Sequence, residues 1–593
     1  MTSRATRSPR RRTVVALVVV LTVIAAFVVR LVDIQVVSAD EHVSDSLSTG
    51  KLGSTTTIAG NRGSIVDENG SVLASSVLVY DAQLDPYLIM QLEEEGEAPM
   101  PWAEASEAIA AVTGQTGEEV RALVSDALAK NENSRYVQLK KGLSTEQYLQ
   151  LRELGLSSYL YMESRSVRQY PNGAVAGNIV GFLNDEGEGQ YGVERMAGEC
   201  LTATDGERTY RRGTDGTVIP GSETTTDAVD GGTVQLTINS DLNWYLQQMI
   251  AEEVQAQGAA SGTVTVVEVK TGKIRAAAEY PSVDPNDVDA TDMDNWKSQI
   301  FSSTFEPGST FKSVTAAAVI DSGAADWSTV VSAASREKFS NGAVINDPFS
   351  HPTYDYTLAG ALIDSSNVAL SKYGSMVDPE VRHDYLEAFG VGEKTAVNFP
   401  GEESGTLHPA SEWDNQSLYT TTFGQHFTIT AAQLAGAYQA IANDGEKIDL
   451  SLIESCTRAD GTVVEADEPE STQVVSEDTA SQLQRMLENV AVQGGLSERI
   501  EVEGYRIATK TGTAQTPDGN GGYKSGVYDV SIVGYAPAED PEYVVVITMD
   551  EPTKIRSSAA TASAFQKAMT QVLKTYRVTP STEPMDELLP KFG

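Results

Sequence analysis

An uncharged run at the N-terminus limits this chain more than any other feature. Thr13 to Val29 (TVVALVVVLTVIAAFVV) holds 17 residues without a charge, and as a helix rising about 1.5 Å per residue it would reach about 26 Å, close to the ~30 Å hydrocarbon core of a bilayer. Leu31 and Val32 extend it, and Arg30 can snorkel to the interface. Five arginines (Arg4, Arg7, Arg10, Arg11, Arg12) precede the run, whereas Asp33, Asp40 and Glu41 follow it. That asymmetry predicts a cytoplasmic tail over 1–12, a membrane anchor over 13–37, and an extracytoplasmic remainder. A cleaved signal, with Val37-Ser38-Ala39 as its small-residue site, would normally carry an apolar core of only about 7 to 15 residues. The anchor is the better reading.

The rest must then fold outside the membrane. At 593 residues and about 150 per domain, two to four domains are expected. The net charge of −40 leaves no basic face for phosphate, so nucleic acid is excluded as a partner. The acidic excess reads as a solvated surface. The five histidines never fall closer than 18 residues apart, so no metal site and no cofactor is predicted. Cys200 and Cys456 are widely separated in sequence, and a chain this large does not need a disulfide; without a compartment argument they are read as free or buried thiols, with a single bridge between them as the lesser alternative.

Composition shifts divide the exterior part. Residues 38–57 are polar and Ser/Thr-rich, which suggests a stalk. Residues 58–230 mix strand-like runs (Val77 to Leu84) with helical stretches at Trp102 to Ala129 and Ser144 to Leu154. After a hinge at 222–232 (SETTTDAVDGG), a second domain over 233–576 opens with a strand at Thr233 to Ile238, a helix from Asp241, and a hairpin made by Gly262 to Val269 and Lys273 to Glu279. Helices are expected at Leu358 to Val377, Thr430 to Asn443 and Glu477 to Val492. Strands follow at Arg506 to Thr513, Asp529 to Tyr535 and Tyr543 to Met549, then a helix from about Ala559 to Lys574. Strands at both ends with helices between predict an α+β fold built on one antiparallel sheet. Residues 577–593 read as a tail.

Three short patterns stand in order: Ser309-Thr310-Phe311-Lys312, Ser365-Ser366-Asn367 and Lys510-Thr511-Gly512-Thr513. Each alone is weak, since S-x-x-K also occurs at Ser48 and Ser335, and K-T-G at Lys270. Ser48 lies in the stalk, Ser335 in a polar stretch, and Lys270 in a hairpin turn. Ser309 instead opens an apolar helix with Lys312 one turn on, on the same face. A serine hydroxyl needs a base, and a lysine held in an apolar pocket beside another cation can be neutral enough to serve. Lys510 to Thr513 extends a strand, where Gly512 permits a close backbone approach by a ligand.

The ordered triplet resembles the penicillin-binding proteins. The resemblance to class B members extends to Arg62-Gly63-Ser64-Ile65-Val66-Asp67, Arg168-Gln169-Tyr170-Pro171, Gly189-Gln190-Tyr191-Gly192-Val193-Glu194, Glu306-Pro307-Gly308 and Phe423-Gly424-Gln425. It implies a penicillin-binding/β-lactamase-like transpeptidase domain behind a pedestal (58–230) and a D,D-transpeptidase acting on peptidoglycan stem peptides that end in D-Ala-D-Ala. Carried over, Ser309 is the nucleophile and Lys312 its base; Ser365 and Asn367 relay the proton and position the substrate. Lys510 supplies charge, Thr511, Gly512 and Thr513 bind the terminal carboxylate, and the N–H groups of Ser309 and Thr513 form the oxyanion hole. β-Lactams would acylate the same serine. A division role, a membrane glycan polymerase and divisome proteins as partners also follow from resemblance alone. The family often has Gly where His426 stands, which puts the local backbone in question.

Four other readings stand beside this one. A bifunctional class A enzyme would need a glycosyltransferase domain where 58–230 lies; a β-lactamase would need a base for deacylation; a silent division scaffold would not need Ser309, Lys312, Asn367 and Lys510 intact. An elongation-type transpeptidase shares the motifs. The topology is directly testable: protease added to spheroplasts should digest the chain beyond the anchor, and protection of residues after 37 would refute the orientation.

Overall fold

The computed structural model describes residues 9–32, 53–211, 218–519, 522–585 and 587–593. The chain divides into two compact units, one ending at Asn61 and resuming over Ala203–Asp230, the other made of Arg62–Thr202 and Gly231–Gly593.

In the first unit the apolar run lies within a single helix, α1 (Pro9–Val32, 24 residues). Its large side chains are exposed, Val14 at 59% and Phe27 at 68%. Among the described residues no helix is long and apolar enough to cross a membrane; the side chains of α1 are described without a break only over 14–30. Of the expected stalk, 38–52 lie outside the described residues. Gly53–Ile58 is no loose linker but a strand, pairing antiparallel with Gly206–Arg211, which pairs in turn with Thr224–Thr226.

The second unit opens with a mixed sheet. Its strands β1 (Ile65–Val66), β2 (Val72–Leu84), β3 (Val137–Leu143), β4 (Leu160–Gln169) and β5 (Thr233–Leu236) are joined by Ile453–Thr457 and Val463–Glu465 from far along the chain. The stretch expected as one helix from Trp102 to Ala129 is two, α2 (Trp102–Thr113) and α3 (Gly117–Lys130). Gly114 at φ +71° ends the first, and the reciprocal Thr116–Glu119 capping box starts the second. Ile109 and Val120 from these helices pack on Leu139, Leu143 and Leu160 of the strands.

Three of the segments that carry the resemblance meet at one buried carboxylate. Glu194 Oε2 accepts from Arg62 Nε at 2.6 Å and Glu194 Oε1 from Arg168 Nε at 2.7 Å. Arg168 Nη1 also donates to the Gly63 carbonyl at 2.5 Å. The Glu194 side chain has no solvent exposure, and those of Arg62 and Arg168 only 12% and 6%.

The cysteines correct the sequence reading: Cys200 and Cys456 are disulfide-bonded, their Cα atoms 6.3 Å apart. Strand pairing brings them together. Cys456 pairs with Val234, and two residues earlier the Gly232 amide donates to the Cys200 carbonyl at 2.8 Å. No linear spacing could show this.

The α+β expectation is met by a five-stranded antiparallel sheet. Its strands are β6 (Ser261–Glu268), β7 (Ile274–Tyr280), β8 (Ala508–Pro517), β9 (Tyr523–Ala536) and β10 (Tyr543–Asp550), in spatial order β7-β6-β10-β9-β8. One face packs on α4 (Ser240–Gln257) and the C-terminal helix Ala562–Thr575. The other meets a helical layer containing α5 (Lys312–Asp321), α6 (Leu358–Ile363), α7 (Asn367–Gly374) and α8 (Ala431–Ala442). Burial on both faces explains the continuous apolar run of β10. The outer strand β8 leaves one edge beside the helical layer.

The last residues differ from a free tail. Leu589 is buried, Phe592 bridges to Tyr356, and the Thr357 hydroxyl donates to the Pro590 carbonyl at 2.6 Å.

Glu194→Ala should cost about 3–5 kcal/mol, because it strands two arginines with little access to water. Glu107→Ala, which breaks an exposed pair with Arg121, should cost less than about 1 kcal/mol. Equal losses in denaturant titrations of the two variants would refute this account.

Candidate active site

Ser309 lies in a 3₁₀ turn, Gly308–Phe311, that runs directly into α5. From Glu306 to Ile320 every residue is buried except Ser309. The turn is pinned from behind, since the Tyr438 hydroxyl of α8 donates to the Thr310 carbonyl at 2.8 Å and shares a 2.9 Å hydrogen bond with Ser313. From the side, the Gly308 amide donates to the Gly424 carbonyl at 2.8 Å.

The expected helix over Leu358 to Val377 breaks between α6 and α7, and the break is the second motif. Ser365 takes the left-handed conformation, φ +57°, uncommon for a residue with a Cβ. Ser366 caps α7, accepting from the Ala369 amide at 3.0 Å. This turn aims Ser365 at both lysines. Lys312 Nζ donates to the Ser365 carbonyl at 2.5 Å and to its Oγ at 3.1 Å; Lys510 Nζ donates to the same Oγ at 3.1 Å and to the Thr511 carbonyl at 3.2 Å. Asn367 Nδ2 donates to the Asn346 carbonyl at 2.9 Å.

Both lysines are shut away from water. Burial, then the neighbouring Lys510, pushes the Lys312 amine well below the ordinary lysine range, while Asp347 pulls it back up. Burial lowers Lys510 to about 7. The amine one turn from Ser309 is therefore suited to accept a proton.

Thr511 and Thr513 are part-exposed and alternate along β8 with the buried Lys510 and Gly512. Thr513 Oγ1 accepts from the Ser558 amide at 3.0 Å. Gly512 departs from the expected reason for a glycine. A Cβ there would lie 2.4 Å from Ser531 Oγ and 2.7 Å from the Pro307 carbonyl. What approaches the strand at Gly512 is thus the turn carrying Ser309.

Residues without a predicted role complete the site. The Glu306 carboxylate accepts from the His426 amide at 2.9 Å, from Gln425 Nε2 at 3.2 Å and from the Tyr523 hydroxyl at 3.0 and 3.1 Å. Burial raises its proton affinity. His426 keeps the left-handed backbone, φ +72°, that a glycine would adopt freely, at a strain of about 1 kcal/mol; its amide is held by Glu306. Tyr523 belongs to the segment 515–528, whose four glycines and one proline would read from sequence as a mobile loop. Instead β8 and β9 extend through it as a hairpin, Gln515 pairing with Tyr528 and Pro517 with Tyr523; residues 520–521 of the connection lie outside the described residues. Asp347, buried behind Ser366, carried no signal beyond a lone Asp-Pro in a polar loop.

A part-exposed serine, a buried amine one turn away, a second amine bridged to it by a hydroxyl, and an edge strand alongside suit acyl transfer through a serine ester. Comparison with known proteins agrees. The Penicillin binding protein transpeptidase domain matches residues 262–570, and the Penicillin-binding Protein dimerisation domain matches 57–236. Penicillin-binding protein PbpB of Mycolicibacterium smegmatis is 34% identical over 550 residues, covering 88% of this chain and 84% of that one. Peptidoglycan D,D-transpeptidase FtsI of Escherichia coli is 28% identical over 527 residues, covering 88% and 85%. The crystal structure of penicillin binding protein 3 of Mycobacterium tuberculosis complexed with aztreonam superposes with a TM-score of 0.68 at 27% identity, covering 89% of this chain and 99% of that one. With its serine–lysine turn, its Ser365 bridge and a matched domain spanning more than half its length, this chain belongs to the penicillin-binding proteins.

Proposed function

We propose that this protein is a membrane-anchored serine D,D-transpeptidase that cross-links peptidoglycan stem peptides and is inhibited by β-lactams. The observation that carries the reading is the shared hydroxyl of Ser365, 3.1 Å from each of Lys312 Nζ and Lys510 Nζ, beside the part-exposed Ser309 of an otherwise buried turn. Ser309 Oγ attacks the carbonyl of the penultimate D-Ala and gives its proton to Lys312. The proton passes through Ser365 Oγ to the amide nitrogen as the terminal D-Ala leaves. An amine of a neighbouring stem then attacks the ester, and its proton returns by the same path to Ser309 Oγ. Asn367 orients the donor amide. Lys510, Thr511 and Thr513 receive the terminal carboxylate, the backbone of Gly512 keeps the strand close to the turn, and the N–H groups of Ser309 and Thr513 stabilise the oxyanion.

The pedestal is assigned to 58–230 and the transpeptidase domain to 233–576. A single-pass anchor in the cell membrane is read from the 17-residue uncharged run inside α1 and from the arginines that precede it. The catalytic domain is then extracytoplasmic. The relatives' names FtsI and PbpB support septal synthesis; a membrane glycan polymerase and divisome proteins are proposed as partners from the family resemblance.

Fluorescent penicillin should label the wild type and not Ser309→Ala, and Lys312→Ala should suppress labelling about as strongly, because groups acting as a unit are not additive. Near wild-type acylation of Lys312→Ala would exclude it as the base. The label should also persist, since rapid loss would indicate a β-lactamase. The pH profile has a fixed sign. Rising pH frees the Lys312 amine and speeds acylation at low β-lactam concentration. Above about 7, Lys510 loses the charge that draws the carboxylate, and the rate should fall. A rate that keeps climbing through pH ~9 would exclude that role for Lys510.

A further inference from the structure

Behind the Ser365–Asn367 turn lies a carboxylate that the mechanism above leaves unused. Asp347 has no side-chain exposure, and His351, its ion-pair partner, has 3%. Asp347 Oδ1 accepts from the Val368 amide at 2.9 Å, and Oδ2 accepts from the Ser366 hydroxyl at 2.7 Å and faces His351 Nε2 at 2.9 Å. The other ring nitrogen, His351 Nδ1, lies 2.6 Å from the Pro352 carbonyl oxygen. A carboxylate can only accept, so with its proton on Nε2 the ring donates to Asp347. The ring is clamped: Tyr354 stacks on it at 5.1 Å and 2° between planes, and Tyr356 meets it edge-on at 5.9 Å.

Asp347 also acts on the base. Its negative charge favours the proton on Lys312, and inside a low-dielectric site an unanswered carboxylate would hold that proton strongly. Among the described residues no lysine or arginine forms an ion pair with Asp347; His351 does. The other charged or titratable groups around this network are Lys312 on α5, Lys510 on β8, and Tyr354 and Tyr356 on the strand Tyr354–Thr357. Beyond them Asp364 accepts from the Tyr356 hydroxyl at 3.3 Å and from Lys591 at 2.7 Å.

We propose that His351 is a positioning residue for acyl transfer: by donating to Asp347 it answers that carboxylate's charge and holds it on the Ser365–Asn367 turn, leaving Lys312 free to act as an unprotonated base. The inference rests on the reading of Lys312 as the base of an acylated Ser309. It requires that the ring act through Asp347 and not through substrate.

The experiment is single-turnover acylation of the full chain at saturating β-lactam, where the carboxylate is already bound, followed from about pH 5 to about pH 10. His351→Gln should move the acid limb upward by about one pH unit, a roughly ten-fold slower rate below the limb with the wild-type rate regained above it. In an Asp347→Asn background, His351→Gln should produce no further movement. An unchanged profile, an equal loss at every pH, or the same shift without the Asp347 carboxylate would overturn the proposal. If His351→Gln melts too low to assay, His351→Asn takes its place, and a lowered melting temperature with an unmoved limb counts against a role beyond folding. Failure of the underlying reading looks different, because Ser309→Ala or Lys312→Ala would then acylate like the wild type.

Discussion

Lys312 and Lys510 are both withdrawn from water and both within 3.1 Å of one hydroxyl, Ser365 Oγ. Two ammonium groups so placed would repel each other in a medium that screens them poorly, and the relief open to them is to shed protons. An amine suited to act as a base beside Ser309 is thus a consequence of packing, and it lasts only while three separate segments hold the lysines and the serine together. Most of what surrounds the site serves that requirement.

Each segment is fixed by a different device. The turn bearing Ser309 is wedged between α8, through Tyr438, and β8, through the space that Gly512 leaves for the Pro307 carbonyl. The Ser365 turn is held by Asp347, which binds both Ser366 and the Val368 amide at the start of α7. The third is the β8–β9 hairpin, tied to the first turn by Tyr523 on Glu306. The same carboxylate holds the amide of His426, so the strained backbone there is compensated by a hydrogen bond from the nucleophile's own loop. Moving any one of these would loosen the lysine pair.

The region before residue 231 follows a similar rule with a different carboxylate. Glu194 gathers Arg62 and Arg168, and Arg168 reaches the carbonyl of Gly63. Further along, Asp67 accepts from the amide and hydroxyl of Ser240, and Glu68 pairs with Arg275 at 2.7 Å. The Glu68–Arg275 pair and the Cys200–Cys456 bridge cross between the two regions matched by separate family models, and with the Asp67–Ser240 contacts they tie 62–202 to 231–593 in one compact unit.

The legible part was local. Ser309 and Lys312 sit at i and i+3 on one helix face, the apolar run defines α1, and alternation together with turn chemistry marks the strands of the main sheet, because each depends on neighbours a few residues away. The break at Ser365, the pairing of Cys200 with Cys456, the packing reason for Gly512, and the roles of Glu306, Tyr523, Asp347 and His351 left no such trace. Apart from the His351–Asp347 pair, four residues apart, each is decided by a contact between residues distant in the chain, and an Asp in a polar loop looks the same whether it faces water or a buried histidine. Residue types and order were enough to single out Ser309, Lys312 and Lys510 as the candidate nucleophile, base and second lysine. Only the tertiary structure decided that both amines would be dry and share one hydroxyl, because proton affinity is set by the surroundings of a group and not by its place in the sequence.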